Sequence, residues 1–328
     1  MNRRLALSLL GSLAITSQIG CSSPSSSGAP SGSGAAGKTH VKLVLDWVPE
    51  PEFGGFYAAR ESKAYDAQSL DVEIVGGGAG VPVVQMVATG QAEFGIAGAD
   101  SVLTAKARGA DIVAVYAVYQ TSPQGIMARP ERGNTLADVF STGTLAIEPG
   151  LSFALFLKKK YGFDRVKIVP YDGGVARFAA EKDFAQQCFV TSEPLAARKR
   201  GIEPKVHLVA DEGFNPYVGV VIAKRSTWQE KRELVKRFVT ASREGWQKYL
   251  DDPAPANAVM ARLNTSMDAQ TFADAAAAQK PLIANDETKA RGLGSMTKKR
   301  WEDLAKQLVD LGVLEKAPPI DEVLPPDL

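Results

Sequence analysis

Between residues 40 and 126 short apolar runs alternate with helical stretches, and the alternation resumes at residue 144. The first block reads as strand "VKLVLDW", helix "FYAARESKAY", strand "LDVEIV" ended by "GGGAG", helix "VPVVQMVATG", strand "AEFGIAG", helix "DSVLTAKARG" and strand "DIVAVYAVY". Asp100 or Ser101 suits the cap of that last helix and Gly109 its end. The second block reads as strand "TLAIEPG", helix "LSFALFLKKKYGF", strand "VKIVPYDGG", helix "VARFAAEKDF", strand "QCFVTSEP", helix "LAARKRG" and strand "KVHLVA". Short apolar strands separated by helices predict an α/β fold with largely parallel sheets, because helices make the crossovers.

Strands stop after residue 226. "STWQEKRELVKRFVTASREGWQKYL" predicts one long amphipathic helix capped by Ser226 or Thr227, with Trp228, Leu234, Val235, Phe238, Val239, Trp246 and Leu250 on its apolar face. Further helices follow, the last with Trp301, Leu304, Leu308 and Leu311 on one face. This tail has no core of its own and must pack on an α/β block. The simplest path returns the chain through "NPYVGVVIA" to the first block. The expectation is two lobes, 38–126 with 219–328 and 127–218, joined by a double-strand hinge, with the C-terminal helices packed on the first lobe. Such a molecule closes on a ligand in its cleft.

The start of the chain reads differently. "MNRR" is basic, and "LALSLLGSLAIT" has the length of a signal-peptide core and is too short to span a membrane. "SQIGC" resembles a bacterial lipoprotein cleavage box, which implies a lipoprotein signal peptide at 1–21 and lipidation of Cys21. Residues 22–37, "SSPSSSGAPSGSGAAG", form a flexible Ser/Gly linker with a root-mean-square span of roughly 20–24 Å. The net charge of +1 becomes −1 when Arg3 and Arg4 leave with the leader. A near-neutral chain without basic runs argues against a nucleic-acid partner. Cys188 alone cannot form an internal disulfide, and His40 and His207 stand far from any Cys or acid cluster, so no metal site is expected.

"DWVPEPEFGGFY" at 46–57 holds three acids and four aromatics straight after a strand. Strand C-termini of α/β sheets face the cleft where ligands bind. Trp47 and Tyr57 suit a sandwich around a flat heterocycle, each stack contributing on the order of 0.5–1.5 kcal/mol. The same rings, with Phe53 and Phe56, suit core filling beneath a turn. Gly54 and Gly55 read as the bend that starts the next helix. Asp46 and Glu50 are acid candidates. Gly78, in the "GGGAG" turn, offers backbone N–H groups. Ser152 opens a helix whose free N–H groups favour an anion. Ser101, Tyr119, Tyr171 and Asn215 end strands or border the hinge.

"VATGQAEFGIAGADSVLTAKARGADIVAVYAVYQTSPQGIMA", "TLADV…GTLAIEPG" and "SEPLAARKRG" together resemble the type II periplasmic solute-binding proteins of the nitrate/sulfonate/taurine group, over about residues 40–315. Within that group "LDWVPEPEFGGFYAA" is similar to proteins that bind pyrimidine precursors of thiamine. Trp47, Pro49, Gly55, Tyr57 and Ala59 keep the pattern, while Glu50, Glu52 and Phe53 replace the usual Asn and His. The resemblance implies a carboxylate ligand contact at Glu193, where a first-turn helix acid stabilised by the helix dipole is the alternative. It also covers a fungal pyrimidine synthase that uses a pyridoxal cofactor, but "NPYVGVVIA" has no cysteine where that enzyme carries a Cys-rich run. The implied protein is therefore not an enzyme and has no cofactor. It is a monomeric, membrane-anchored, extracytoplasmic solute-binding lipoprotein of an ABC importer, with a small-molecule ligand and ABC permease subunits as partners. A flat N-heterocycle is the expected ligand, with a sulfonate, taurine or nitrate-type anion as the alternative. A synthase-like enzyme and a ligand sensor are the readings from other classes.

Overall fold

A computed structural model of the protein describes residues 37–326. The expected leader, Cys21 and all of the expected linker before Gly37 lie outside the described residues. Among the described residues ten strands form: β1 (Thr39–Val44), β2 (Leu70–Val75), β3 (Phe94–Ala97), β4 (Ile112–Tyr119), β5 (Gln124–Ala128), β6 (Thr144–Ala146), β7 (Lys167–Val169), β8 (Phe184–Phe189), β9 (Lys205–Leu208) and β10 (Val218–Lys224). They make two five-stranded sheets, ordered β2-β1-β3-β10-β4 and β7-β6-β8-β5-β9.

Both sheets follow one plan. β1 is parallel to β2 and β3, and β10 lies antiparallel between β3 and β4. β6 is parallel to β7 and β8, and β5 lies antiparallel between β8 and β9. Four strands of each sheet therefore run one way, as helical crossovers require. The opposed strand is in each case one that adjoins a crossing between the sheets.

The two crossings are residues 120–123 and 209–217. Asn215 ties them together: its Oδ1 accepts from the Ser122 N–H at 2.8 Å and its Nδ2 donates to the Gln120 carbonyl at 3.5 Å. Arg300 Nε donates to the Asn215 carbonyl at 3.0 Å, and its guanidinium lies over the Tyr217 ring, 3.9 Å from the centroid. The helix Lys298–Asp310 that carries Arg300 also reaches the second crossing through Gln307, which donates to the Gly213 carbonyl at 2.8 Å.

The long helix is interrupted. Lys231 leaves helical geometry at φ −125° and ψ 40°, separating Arg225–Glu230 from Arg232–Asp251. The first piece is held at the start of β4, where Arg225 donates its backbone N–H to the Asp111 carbonyl at 3.1 Å and its guanidinium to the Glu322 carbonyl at 2.6 Å. Neither Ser226 nor Thr227 caps it; Lys224 occupies the cap position. Gly98 likewise takes the cap position expected for Asp100 or Ser101, and Asp100 instead accepts from the Ser101 N–H.

The apolar face of Arg232–Asp251 covers the first sheet. Phe238 stacks on Phe94 with centroids 3.9 Å apart and on Tyr65 at 5.5 Å. Against the same helix lies Gly54–Glu61. Gly54 is right-handed helical at φ −54°, so the expected bend is absent there. These glycines serve close packing instead. A Cβ on Gly55 would lie 2.1 Å from the Trp246 ring, and one on Gly245 would lie 2.3 Å from the Gly55 carbonyl oxygen.

β4 is the edge of its sheet, yet every residue in it is buried. Its outward N–H groups have partners from the end of the chain. Ala117 donates to the Gly294 carbonyl at 3.1 Å and Ala114 to the Val323 carbonyl at 2.8 Å. An uncovered apolar edge strand is a template for pairing with another chain. Deleting residues 319–328 is expected to lower the unfolding midpoint and to produce concentration-dependent association. Light scattering across a dilution series checks this, and a truncated protein as monodisperse as the intact one would contradict it.

Candidate functional site

Just beyond the C-terminal end of β1, the chain turns through Leu45–Glu50 into a short 3-10 turn, Pro51–Phe53. Three features fix that turn. Asn264 Nδ2 donates to the Pro49 carbonyl at 3.2 Å and to Glu50 Oε1 at 3.4 Å. The buried Gln279 donates to the Pro51 carbonyl at 2.7 Å and accepts from the Tyr119 hydroxyl at 2.6 Å. The glycine turn after β2 packs beneath, with Gly77 N–H donating to the Trp47 carbonyl at 2.9 Å. A Cβ at Gly77 would sit 2.0 Å from the Leu45 carbonyl oxygen, so only glycine fits there.

This loop presents Asp46, Glu50 and Glu52. Burial pushes the Glu50 carboxyl up to about 7; hydrogen bonding from Trp47 and Asn264 opposes the shift, and repulsion from Glu193 adds to it. Burial raises Glu52 well above the usual carboxylate range, and repulsion from Asp46, Glu50 and Glu193 raises it further. Asp46 keeps contact with solvent, yet the surrounding protein lifts its carboxyl to about 6, chiefly by desolvation.

Glu193 comes from the second sheet's side. It is the first residue of the helix Glu193–Lys199, which follows β8. Its Oε2 accepts from the Phe189 N–H at 2.7 Å, and its Oε1 accepts from the Tyr171 hydroxyl. Burial raises its carboxyl despite those two donors. Repulsion from Glu193 adds to the upward shift of the Glu50 and Glu52 carboxyls. Tyr171 also borders an open pocket of about 440 Å³ lined by Ile147, Pro149, Leu151, Ile168 and Val169. Beside it Glu148 and Gln187 exchange two bonds, Gln187 Nε2 donating at 2.7 Å and the Glu148 N–H at 2.8 Å.

The expected wall of rings reduces to Trp47, which is 44% exposed. Phe53, Phe56 and Tyr57 lie in the core beneath the turn. Phe56 meets Trp246 edge-on at 5.8 Å, and the Tyr57 ring lies beneath the Arg60 guanidinium. The cause is helical spacing, i, i+3 and i+4, which sets all three on one buried face. Tyr119 is also buried, with its hydroxyl committed to Gln279. Asn215 is a hinge tie whose carboxamide is engaged at both ends. Gly78 has open space around it and Ser101 is exposed on its helix. Ser152 is buried at the first turn of Ser152–Tyr161 and caps nothing. Of the expected residues, Glu50, Tyr171 and Glu193 join one electrostatic cluster, with Trp47 beside Glu50. Glu52 is the member that the sequence reading left out. Three acids within seven residues after a strand were the available signal.

Two sheets of this shared strand order, joined by two crossings and lined with polar groups where loops from both meet, define a type II periplasmic binding-protein fold. The chain belongs to the NMT1/THI5-like family, whose model matches residues 50–256. It is 25% identical over 270 residues to the riboflavin-binding protein RibY of Chloroflexus aurantiacus, covering 77% of this chain and 76% of that one. The fold is similar to that of the periplasmic aliphatic sulphonate binding protein SsuA from Escherichia coli, with TM-score 0.65, 14% identity and coverage of 87% of this chain and 91% of that one. It is also similar to a zinc-bound ligand binding component of an ABC-type import system from Staphylococcus aureus, with TM-score 0.65, 13% identity and coverage of 88% and 97%.

Proposed function

We propose that the protein is the extracytoplasmic solute-binding component of an ABC importer and that it captures a flat N-heterocycle, such as a thiamine-precursor pyrimidine, without changing it chemically. Residues 38–126 with 219–328 act as one lobe and 127–218 as the other, and Asn215 ties the strands of the hinge. The closed form is delivered to permease subunits, and lipid attached at Cys21 holds the monomer at the periplasmic face or cell surface. Closure is favoured only when the ligand binds the closed state better than the open one.

The observation that carries this reading is the set of acids contributed by the loop after β1 and the helix after β8. Glu50 and Glu52 come from the loop after β1 and Glu193 from the helix after β8, and the charged groups acting on Glu50 and Glu52 are carboxylates. A carboxylate accepts two parallel hydrogen bonds, which suits an amino group beside a ring N–H. The exposed Trp47 supplies a stacking face. RibY, by its name a binder of a flat heterocycle, supports the same direction. A sulfonate is the weaker reading: it would enter a field of like charge, and the helix start at Ser152 is preceded by Glu148.

Thermal-shift measurements on the purified protein test the proposal. Aminopyrimidines at 100 times Kd should add about 2.7 kcal/mol of stability. That gain should vanish in Trp47→Ala and in Glu193→Gln. Stabilisation by alkanesulfonates alone rejects the heterocycle.

A further inference from the structure

We propose that Lys199 and Asp268 form a latch between the two lobes, a bond that holds them at the spacing described and so sets how tightly a ligand is retained. This rests on the binding-protein reading and adds to it the residues that fix closure.

Lys199 ends the helix Glu193–Lys199, which follows β8 in the second sheet. Asp268 is the N-cap of the helix Ala269–Ile283, one of the C-terminal helices. The Lys199 ammonium donates to Asp268 Oδ1 and Oδ2, both at 2.7 Å, and to the Thr271 hydroxyl. Asp268 Oδ1 also accepts from the Thr271 N–H at 2.8 Å and from the Thr271 hydroxyl at 2.7 Å. An exposed ion pair ordinarily loses much of its attraction to the entropy of holding two side chains still. Here the cap already holds the carboxylate, so only the lysine has to be ordered.

Position gives the bond its effect. The far end of the helix Ala269–Ile283 rests on the first crossing, where the Leu282 carbonyl accepts from the Gln120 and Thr121 N–H groups, each at 2.9 Å. At about 1.5 Å per residue the helix sets the latch roughly 20 Å from that contact. Rotation about the crossings is magnified over this arm, and opening beyond the reach of the lysine stem breaks the bond. A second lysine bond between the same parts has no such arm: Lys159 donates to the Asp310 carbonyl at 2.6 Å, at the end of the helix that holds the second crossing through Arg300 and Gln307. The latch also joins the two elements that carry candidate ligand residues. Glu193 opens the Lys199 helix. On the other side Asn264 bonds the Pro49 carbonyl and Glu50, and Gln279 of the capped helix bonds the Pro51 carbonyl. Breaking the latch frees the Glu193 helix to move against that turn. A ligand that touches both then meets a smaller population of the competent form, and its apparent Kd rises in proportion.

Small-angle scattering and calorimetric titration of the purified protein test the latch in two variants: Lys199→Met, which keeps the stem, and Asp268→Asn, which keeps the cap. In low salt each should have a larger radius of gyration than the native protein, and the double variant should exceed neither single one. Salt at about 0.5 M should enlarge the native protein and leave the variants as they were. Lys199→Arg, with the charge kept, should stay compact. Affinity for hydroxymethyl-aminopyrimidine, or for taurine where the heterocycle reading fails, should drop about two- to fivefold in both single variants. Equal radii in the native protein and the single variants overturn the latch, as does enlargement by salt to the same extent in all of them. Enlargement of Lys199→Arg as well overturns the ion pair as its cause. Larger radii with unchanged affinity overturn its hold on the ligand. Binding of neither probe counts against the importer reading and leaves the radii to decide the latch.

Discussion

Gly245→Ala lowers the stability of the protein, although the same change in an ordinary helix interior raises it. Alanine gains about 0.5–1 kcal/mol over glycine in helix propensity. Here the new Cβ would stand 2.3 Å from the Gly55 carbonyl oxygen, 2.4 Å from the Ala59 Cβ and 2.6 Å from the Ala59 nitrogen. Two of those atoms are backbone of the opposing helix and cannot rotate away. Overpacking of this kind costs about 1–3 kcal/mol, and rigid neighbours place it at the upper end. Packing outweighs propensity, and the net loss is about 2 kcal/mol, or about 4–8 °C in the unfolding midpoint. Calorimetry of both proteins checks this. A midpoint unchanged or raised means that the two helices do not approach this closely. Gly55→Ala meets the Trp246 ring at 2.1 Å and should behave alike, and the two losses should not add because they separate one interface.

Glu50→Gln is expected to stabilise the ligand-free protein at neutral and alkaline pH. The Glu50 carboxyl is raised from 4.5 to about 7 in the folded state, chiefly by burial. The native protein therefore holds this proton where the unfolded chain has lost it. Its contribution to stability declines as pH rises from about 4.5 to about 7, and above that window the buried charge is a penalty. The ceiling is about 3 kcal/mol, lowered by the group's remaining solvent contact to about 2 kcal/mol. Glutamine keeps the hydrogen-bonding shape, removes the charge and relieves Glu52 of one repelling neighbour. The variant should exceed the native protein by several degrees at pH 8 and match it at pH 4. Unfolding midpoints at the two pH values decide the matter. A gain equal at both values would mean that charge is not the cause. Lost ligand affinity in the same variant would mark a site whose function opposes its stability.

The fold was legible because its signals are local and repeated. Strands such as "LDVEIV" and "DIVAVYAVY" stand between glycine stops, and β2 and β4 lie within a residue of those runs. β8 shows the limit. It begins at Phe184, inside a stretch that read as helix, because pairing with β5 and β6 overrides the helical preference of "FAAEKDF". The break at Lys231 has no glycine or proline to announce it, and the piece before it is held by Arg225 to partners distant in the chain. At the site, residue type was legible and direction was not. Phe53, Phe56 and Tyr57 repeat at helical spacing, which was the sign of a core face. Asn215 looked like a ligand contact because it borders the gap between the sheets, and only coordinates place its carboxamide across two crossings. Glu52 stood out only as a departure from the usual pattern, because the Glu193 charge that acts on it lies far away in the chain.

The seam along β4 bears on biogenesis. Its N–H groups are sealed by Gly294 and Val323, and its neighbour β10 comes from beyond residue 217. A nascent polypeptide emerging N-terminus first therefore cannot complete this sheet until nearly all of it has been synthesised.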